Sequence, residues 1–431
     1  MPQPSELRQT ISLALPMVLV QVGLMAMGFV DTIMVGHVSG DVLAAVALGN
    51  IYFFNISIFG TGTLMALDPL VSQAVGARDE RSISMATQRG AILALGIAVV
   101  TILALLPSAA VLRAFRQPEA VIGEAAAYLI ISAIGVLPFF AFVVFRQTLQ
   151  ALGRVAPIVA TIIISNLLNA ALNWVFVYGH LGSPPMAARG SAIATAIARW
   201  AMAVVLFMLA RRELVRRFTP LIPGYADRIA LWSMLKLGMP IGAQQMLEAA
   251  AFGAIGLLMG VLGMRELAGH QVAITLAALT FMVPVGVGAA ASVRVGRAVG
   301  AGDAAGARAA AHAAYVCGVG FMGLTALAFL AFPRQLAAMM TSDTAVIAIA
   351  ATLIPIAGIF QVFDGGQAVG AGVLRGLGDT RVPLLVMLGG YWLLGLPISV
   401  WLGFRTGMRE VGLWAGFVFS LGAVALFLLL R

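Results

Sequence analysis

The sequence predicts an all-α polytopic membrane protein with twelve transmembrane helices in two pseudo-symmetric six-helix lobes. Three observations carry that prediction. The 431 residues are 61% hydrophobic and only 10% charged, with a mean hydropathy of +1.02, whereas soluble domains carry about 25% charged residues. Apolar runs of about 20 residues or more, enough to cross a hydrocarbon core of about 30 Å, recur along the whole chain. The second half also repeats the first at a constant offset. The alternating short strands of a membrane barrel are not visible.

Taken in order, the apolar runs divide at polar, Gly or Pro clusters into twelve spans. The first six cover residues 12–36, 44–73, 88–112, 121–148, 154–178 and 190–211. The second six cover 232–262, 267–292, 308–332, 344–374, 381–403 and 411–430. The run behind Arg8 is too long for the apolar core of a signal peptide and lacks a small-x-small cleavage site, so it reads as a retained first span. Between spans six and seven lies the most charged stretch, Arg211-Arg212-Glu213-Leu214-Val215-Arg216-Arg217, followed by Pro220, Pro223 and Gly224. It reads as a solvated cytoplasmic linker, residues 214–231, joining an N-lobe (1–213) to a C-lobe (232–431).

With the N-terminus inside, 17 of the 26 Lys and Arg fall on cytoplasmic connections and seven outside, leaving Arg146 and Arg199 within spans. This bias puts both termini in the cytoplasm. The net charge of +9 sits in short connections and forms no extended basic face, which argues against a nucleic-acid partner. Cys317 stands alone and forms no internal disulfide.

A numbering offset of 224 aligns Pro16 with Pro240, Gly36 with Gly260 and Leu43-Ala44 with Leu267-Ala268. It also superposes Val71, Ala74, Val75, Gly76, Ala77 and Asp79 on Val295, Ala298, Val299, Gly300, Ala301 and Asp303. An offset larger by one pairs Leu149, Leu152 and Gly153 with Leu374, Leu377 and Gly378. Apolar helices match by chance, but a constant offset landing on V-x-x-A-V-G-A does not arise so easily. Each unit holds an even number of spans, so the halves are parallel repeats about an axis along the membrane normal, the plan of an alternating-access transporter.

Four acids stand in apolar context: Asp31, Asp68, Glu248 and Asp364. A charged side chain at a helix centre costs about 2.5–3.5 kcal/mol on insertion scales, so such a group is paired, protonated or used. Gln244 lies one turn before Glu248, and Gln361 and Gln367 flank Asp364 at three residues on either side, each on the acid's helical face. Such amides share a proton, help dehydrate a cation or fix the acid's rotamer. In the first half, Asp31 has Asn166, Asn169 and Asn173 within reach, spaced to share one face of span five, and a carboxylate with amide carbonyls makes an oxygen cage for Na⁺. Asp68 precedes Pro69 near the expected cytoplasmic end of span two and reads as a capping or interfacial acid. Arg199 reads as a counter-charge for an acid or as a structural arginine, and His270 as an interfacial packing residue.

The stretches FVDTIMVGHVS (29–39), VSQAVGARD (71–79), AGHQVAITLAALTFMVPVGVGAAASVRVGRAVGA (268–301) and FQVFDGGQAVGAGVLRGLGDTRVP (360–383) resemble the MATE (multidrug and toxic compound extrusion) family, in its NorM-like bacterial branch. The resemblance covers essentially the full chain. It implies two six-helix lobes around a V-shaped cleft and export of amphipathic, often cationic, compounds in return for inward H⁺ or Na⁺. It also implies a cation or substrate role for Glu248 and Asp364, and a first-lobe cation site at Asp31, Asn169 and position 173. The family usually carries Asp at that last position; here it is Asn173, which halves the site's negative charge and tilts the expectation from Na⁺ towards H⁺ at Asp31. A transient Na⁺ at Asp31/Asn169/Asn173 or at Glu248/Asp364 stays open.

No cofactor, resident metal or catalytic residue is expected, and membrane lipids and amphipathic organic cations are the expected partners of a monomer in the bacterial inner membrane. Two rival readings fit less well. A lipid-linked oligosaccharide flippase needs several intramembrane arginines, and only Arg146 and Arg199 are available. A membrane-embedded transferase needs clustered acids for Mg²⁺ or a nucleophile with its base, and neither appears. No G-x-x-x-x-G-K-[ST] nucleotide loop is present either.

Overall fold

The computed structural model describes residues 4–431, which form helices joined by short connections, with no strand among them. Eleven helical stretches are long and apolar enough to cross a membrane, and one further pair, bent by 51°, supplies the twelfth span. Side chains such as Leu103, Leu167, Leu324 and Leu393 stand exposed on the outside of these helices, as suits contact with lipid rather than water. By contact the chain forms two compact units, Leu19–Gly242 and the residues up to Val18 together with Ala243–Arg431.

The chain begins with α1 (Pro4–Gly36), which has Pro16 inside it and contributes to both units. Ser39 accepts from the Val42 amide at 3.2 Å and so caps α2 (Gly40–Leu64). Pro69 has no N–H for the Met65 carbonyl, which takes the Asp68 amide at 3.0 Å in a tighter turn. The span resumes as α3 (Leu67–Gly76). Asp68 is thereby fully buried, not interfacial as the sequence suggested, and its charge partner across the unit is Arg146.

Next come α4 (Glu80–Leu105), the short α5 (Ser108–Ala114), and α6 (Glu119–Ala133) with α7 (Val136–Ala151). The sequence suggested one unbroken span over 121–148, but the α6–α7 pair is bent by 51° at Ile134–Gly135. Pro138 cannot donate to the Ile134 carbonyl, and Gly135 faces the Arg199 stem, where a Cβ would come within 3.0 Å of Cδ.

The first unit is completed by α8 (Ala156–Tyr178), α9 (Ala187–Leu209), α10 (Arg211–Phe218) and the start of α11 (Arg228–Leu262). The expected linker is largely exposed, and it is also anchored to the unit. Gln88 of α4 donates to the carbonyls of Arg217 (2.9 Å) and Pro220 (3.1 Å) and accepts from the Ile222 amide (3.1 Å). Arg217, 2% exposed, binds Glu213 at 2.7 Å and also Glu80.

The second unit holds α12 (Met264–Gly300), α13 (Ala304–Ala331), α14 (Pro333–Ala338), α15 (Thr344–Leu377), α16 (Arg381–Met387), a π-helical segment Leu388–Gly395, α17 (Leu396–Arg405) and α18 (Arg409–Leu430). Glycines let α12 and α15 approach closely: a Cβ at Gly372 would lie 2.2 Å from the Gly288 carbonyl oxygen, and one at Gly376 2.6 Å from that of Ser292. The start of α1 is fastened here by Arg294, which donates to the Glu6 carbonyl and the Gln9 side chain (both 3.1 Å) and also bonds the Glu6 carboxylate and Thr10. Compared with lobes drawn at 1–213 and 232–431, residues up to 18 go with the second half and residues 232–242 with the first.

Candidate functional site

Each unit carries its own buried acid cluster. In the unit Leu19–Gly242, Asp31 of α1 is 1% exposed. Its Oδ1 accepts from Asn173 Nδ2 and its Oδ2 from the Thr195 hydroxyl, both at 2.7 Å. Asn173 Nδ2 also reaches the Asn169 carbonyl (3.0 Å), and Asn169 Nδ2 lies 3.3 Å from Thr195 Oγ1. Helical spacing puts Asn169 and Asn173 on one face of α8, as the sequence suggested. Asn166 turns elsewhere, donating to the Gly23 carbonyl of α1 at 3.0 Å.

Thr195 is a site residue that sequence reasoning missed. It is one hydroxyl on a small-residue face of α9, with no acid or amide near it in sequence to draw attention. One turn further along α9, the Arg199 guanidinium lies 3.8 Å from the centroid of the Phe53 ring and attracts Asp31 electrostatically. Tyr128 closes the cluster from α6, donating to Asn50 Oδ1 at 2.7 Å.

In the other unit, Glu248 of α11 accepts from Gln367 Nε2 at 2.7 Å, and Gln367 Oε1 in turn accepts from the Tyr391 hydroxyl. Tyr391, fully buried, stands on the π-helical segment, where the Ser420 hydroxyl reaches the Gly390 carbonyl at 2.7 Å. π-Helical turns of this sort concentrate at functional sites, but one tyrosine in an apolar run gives no sequence signal. Asp364 is 3% exposed, one helical turn before Gln367, and repels Glu248 when both are charged.

The flanking amides divide their roles. Gln367, which the sequence set beside Asp364, donates instead to Glu248. Gln361 turns away from Asp364, its Oε1 accepting from Thr280 (2.8 Å) and Thr325 (3.1 Å). Gln244 is buried one turn before Glu248, and the amide that donates to that acid is Gln367. Around the cluster pack Phe252 and Phe417 (centroids 4.7 Å apart) and Phe360 and Trp414 (5.5 Å). His270 is buried edge-on to Trp414, a packing residue.

Among the described residues no group of three or more His, Cys, Asp or Glu could hold a metal ion. A transported Na⁺ would be met by the oxygens of Asn169 and Asn173, each buried without a hydrogen-bond partner, and by one carboxylate whose two oxygens already accept from neutral donors. The donor set is all oxygen, as a hard cation requires, but it carries a single negative charge.

A family model described as MatE matches the chain twice, over residues 16–175 and 240–401. The chain belongs to the MATE family. The two matches start at Pro16 and Pro240, equivalent positions of the internal repeat. The probable multidrug resistance protein NorM of Mesorhizobium japonicum is 38% identical, the match covering 99% of this MATE chain and 93% of the relative. Multidrug resistance protein PmpM of Pseudomonas aeruginosa is 36% identical over 99% and 91%. Among solved structures, the eukaryotic MATE transporter AtDTX14 superposes with a TM-score of 0.90 at 23% identity over 99% and 95% of the two chains. The Vibrio cholerae MATE transporter VcmN in its bent form gives 0.87 at 22% over 99% and 96%. At those identities the superpositions speak for the twelve-span fold. This MATE protein is a multi-pass membrane transporter and not an enzyme, which removes the transferase reading.

Proposed function

We propose that this MATE protein is a multidrug efflux antiporter of the bacterial inner membrane that exports amphipathic, often cationic, compounds in return for inward H⁺. The observation that carries the coupling is Asp31: a buried carboxylate within a span, with one donor on each oxygen and an amide, Asn173, where a second carboxylate would favour Na⁺. Glu248 and Asp364, beside a cluster of aromatic rings, form the organic-cation site, since carboxylates and π faces both attract a soft cation. The cation enters from outside, neutralises the acids and shifts the two-state equilibrium towards release. Each inward charge yields about 2.3 kcal/mol per 100 mV, and each ~1.4 kcal/mol is a factor of ten. At 100 mV one inward charge therefore sustains a roughly 40-fold outward gradient of an uncharged compound, and a singly charged cation, whose exit costs one charge, needs two inward charges for the same gradient.

Both termini face the cytoplasm, and the monomer suffices. The test is efflux of a fluorescent organic cation from proteoliposomes under a pH gradient alone and then a Na⁺ gradient alone. Transport in the first arm is expected. Transport in the second arm only would move the coupling to Na⁺, and silence in both would end the antiporter reading.

A further inference from the structure

One charged surface takes no part in the transport sites. The short helix α10 is seated in the first unit by Leu214, fully buried, and by Arg217. Arg217 is held by Glu213 at 2.7 Å and by Glu80 of α4, while its carbonyl accepts from Gln88 at 2.9 Å. These ties fix the helix without neutralising it. Glu213 is shared with Arg216 at 3.3 Å and Arg154 at 3.5 Å, and Glu80 also meets Arg216 at 3.2 Å. Arg211 and Arg212 are exposed and form no ion pair among the described residues. Five arginines thus gather around two carboxylates, which leaves an excess of positive charge on a rigid frame.

That excess lines a cavity. Arg154, Arg211, Arg212 and Arg216 border about 810 Å³ of space together with Met208 and Leu209, and Glu213 is the one acid among the lining residues. Met208 and Leu209 are 67% and 50% exposed at the end of the spanning helix α9. The lining therefore joins cationic groups to an apolar, lipid-facing surface. The same short helix gives Val215 and Phe218 to a second cavity of about 370 Å³, whose lining is apolar apart from Thr219. A helix with basic and apolar side chains so divided lies at the boundary of headgroups and acyl chains.

We propose that the cavity beside α10 binds the headgroup of an anionic phospholipid of the cytoplasmic leaflet. A free phosphate would engage the arginines and leave Met208 and Leu209 unused, whereas an acidic amphiphile uses both. Arg211 and Arg212, lacking carboxylate partners, are the groups free to grip the phosphodiester through paired N–H donors. The acyl chains run along Met208 and Leu209. Because Leu214 and Arg217 already hold the helix in place, binding orders only side chains. The choice of leaflet rests on the cytoplasmic placement of both termini; the binding itself does not.

The test measures equilibrium binding to the full-length protein in detergent, with phosphatidylglycerol, phosphatidylcholine and inorganic phosphate as separate probes. Wild type is expected to bind phosphatidylglycerol about tenfold or more tightly than phosphatidylcholine, and to lose that preference as salt rises. R211Q/R212Q is expected to weaken phosphatidylglycerol binding about tenfold while leaving phosphatidylcholine within about twofold. R308Q/R381Q removes two other exposed arginines, the same charge from elsewhere on the chain, and is expected to leave both lipids unchanged. Equal loss in the two double variants overturns the proposal, as does a wild type without preference or salt dependence. The wild-type measurements hold whether or not a variant folds. Inorganic phosphate that competes as well as phosphatidylglycerol marks a simple anion site and also overturns it. Since the assay uses no ion gradient, its failure leaves the antiporter reading standing.

Discussion

Asp79 and Asp303 cap two different helices in one conformation: φ −95°, ψ 87° ahead of α4 and φ −94°, ψ 85° ahead of α13. They occupy equivalent positions of the repeat. Their backbone amides donate to Ala74 and Ala298 respectively, both at 2.9 Å. The agreement extends to the other repeat loop, where Gly153 and Gly378 take φ of 70° and 83° and close the same turn from Gln150 and Arg375. The repeat is therefore a repeat of geometry at the connections, where the chain has least freedom to drift.

The caps do differ in one respect. Asp79 accepts from both the hydroxyl and the amide of Ser82 (2.6 and 3.0 Å), but Asp303 only from the Gly306 amide (2.8 Å). Ser82 holds the Asp79 carboxyl below its ordinary range. A depressed carboxylate stabilises above its unfolded pKa and loses that contribution as pH falls through the folded value, so D79A lowers thermal stability at neutral pH and ceases to matter in acid. D303A lowers it by about 1 kcal/mol, the usual worth of an N-cap. Unfolding of the detergent-solubilised protein across pH reads both.

Thr195 gives Asp31 a donor that valine cannot. T195V removes a hydrogen bond to a group that carries charge, worth about 1.5–3 kcal/mol, so pH-driven efflux falls by roughly tenfold or more. T195S keeps the hydroxyl and retains most of the rate. Initial efflux rates of the two variants at equal reconstitution decide it.

Tyr391 and Gln367 act in series on Glu248. Y391F leaves the Gln367 amide without the partner that fixes its orientation and slows efflux a few-fold, in line with about 1 kcal/mol for one hydrogen bond. Q367L removes the donor to Glu248 itself and costs more. A Q367L variant no slower than Y391F would break the series.

Gly372 and Gly320 make a matched pair for packing. A methyl at Gly372 meets backbone at 2.2 Å, whereas one at Gly320 meets nothing within 4 Å. G372A destabilises by about 1–3 kcal/mol through overpacking. G320A is neutral or stabilises by about 0.5–1 kcal/mol, because alanine favours the helix. Unfolding midpoints of the two variants suffice.

The long apolar runs, the offset repeat and the positions of Asp31, Glu248 and Asp364 were legible in sequence because each is a strong local anomaly: too apolar, too regular or too polar for its surroundings. Partnerships were not. Asp68 looked interfacial from its neighbour Pro69, but it is buried, and Arg146, which attracts it, arrives from another span. Thr195 and Tyr391 are single hydroxyls in apolar helices, visible only once folding sets them against an acid. The bend at Gly135 was hidden among 48 glycines, since what distinguishes it is the arginine stem lying over it. The resemblance to a known family supplied the pairing of Asp31 with positions 169 and 173, which helical spacing alone left open among three asparagines.

The compact units and the repeated units are different stretches of chain. The change of unit falls between Val18 and Leu19 within α1 and between Gly242 and Ala243 within α11, again at equivalent positions of the repeat. Each copy of the repeat thus lends the opening of its first helix to the other copy's compact unit. That is the arrangement of a domain-swapped dimer preserved within one polypeptide. A half-length chain carrying one copy lacks the helix opening its own unit uses and obtains it only from a second half, so the two halves fold as a couple and neither is a stand-alone module.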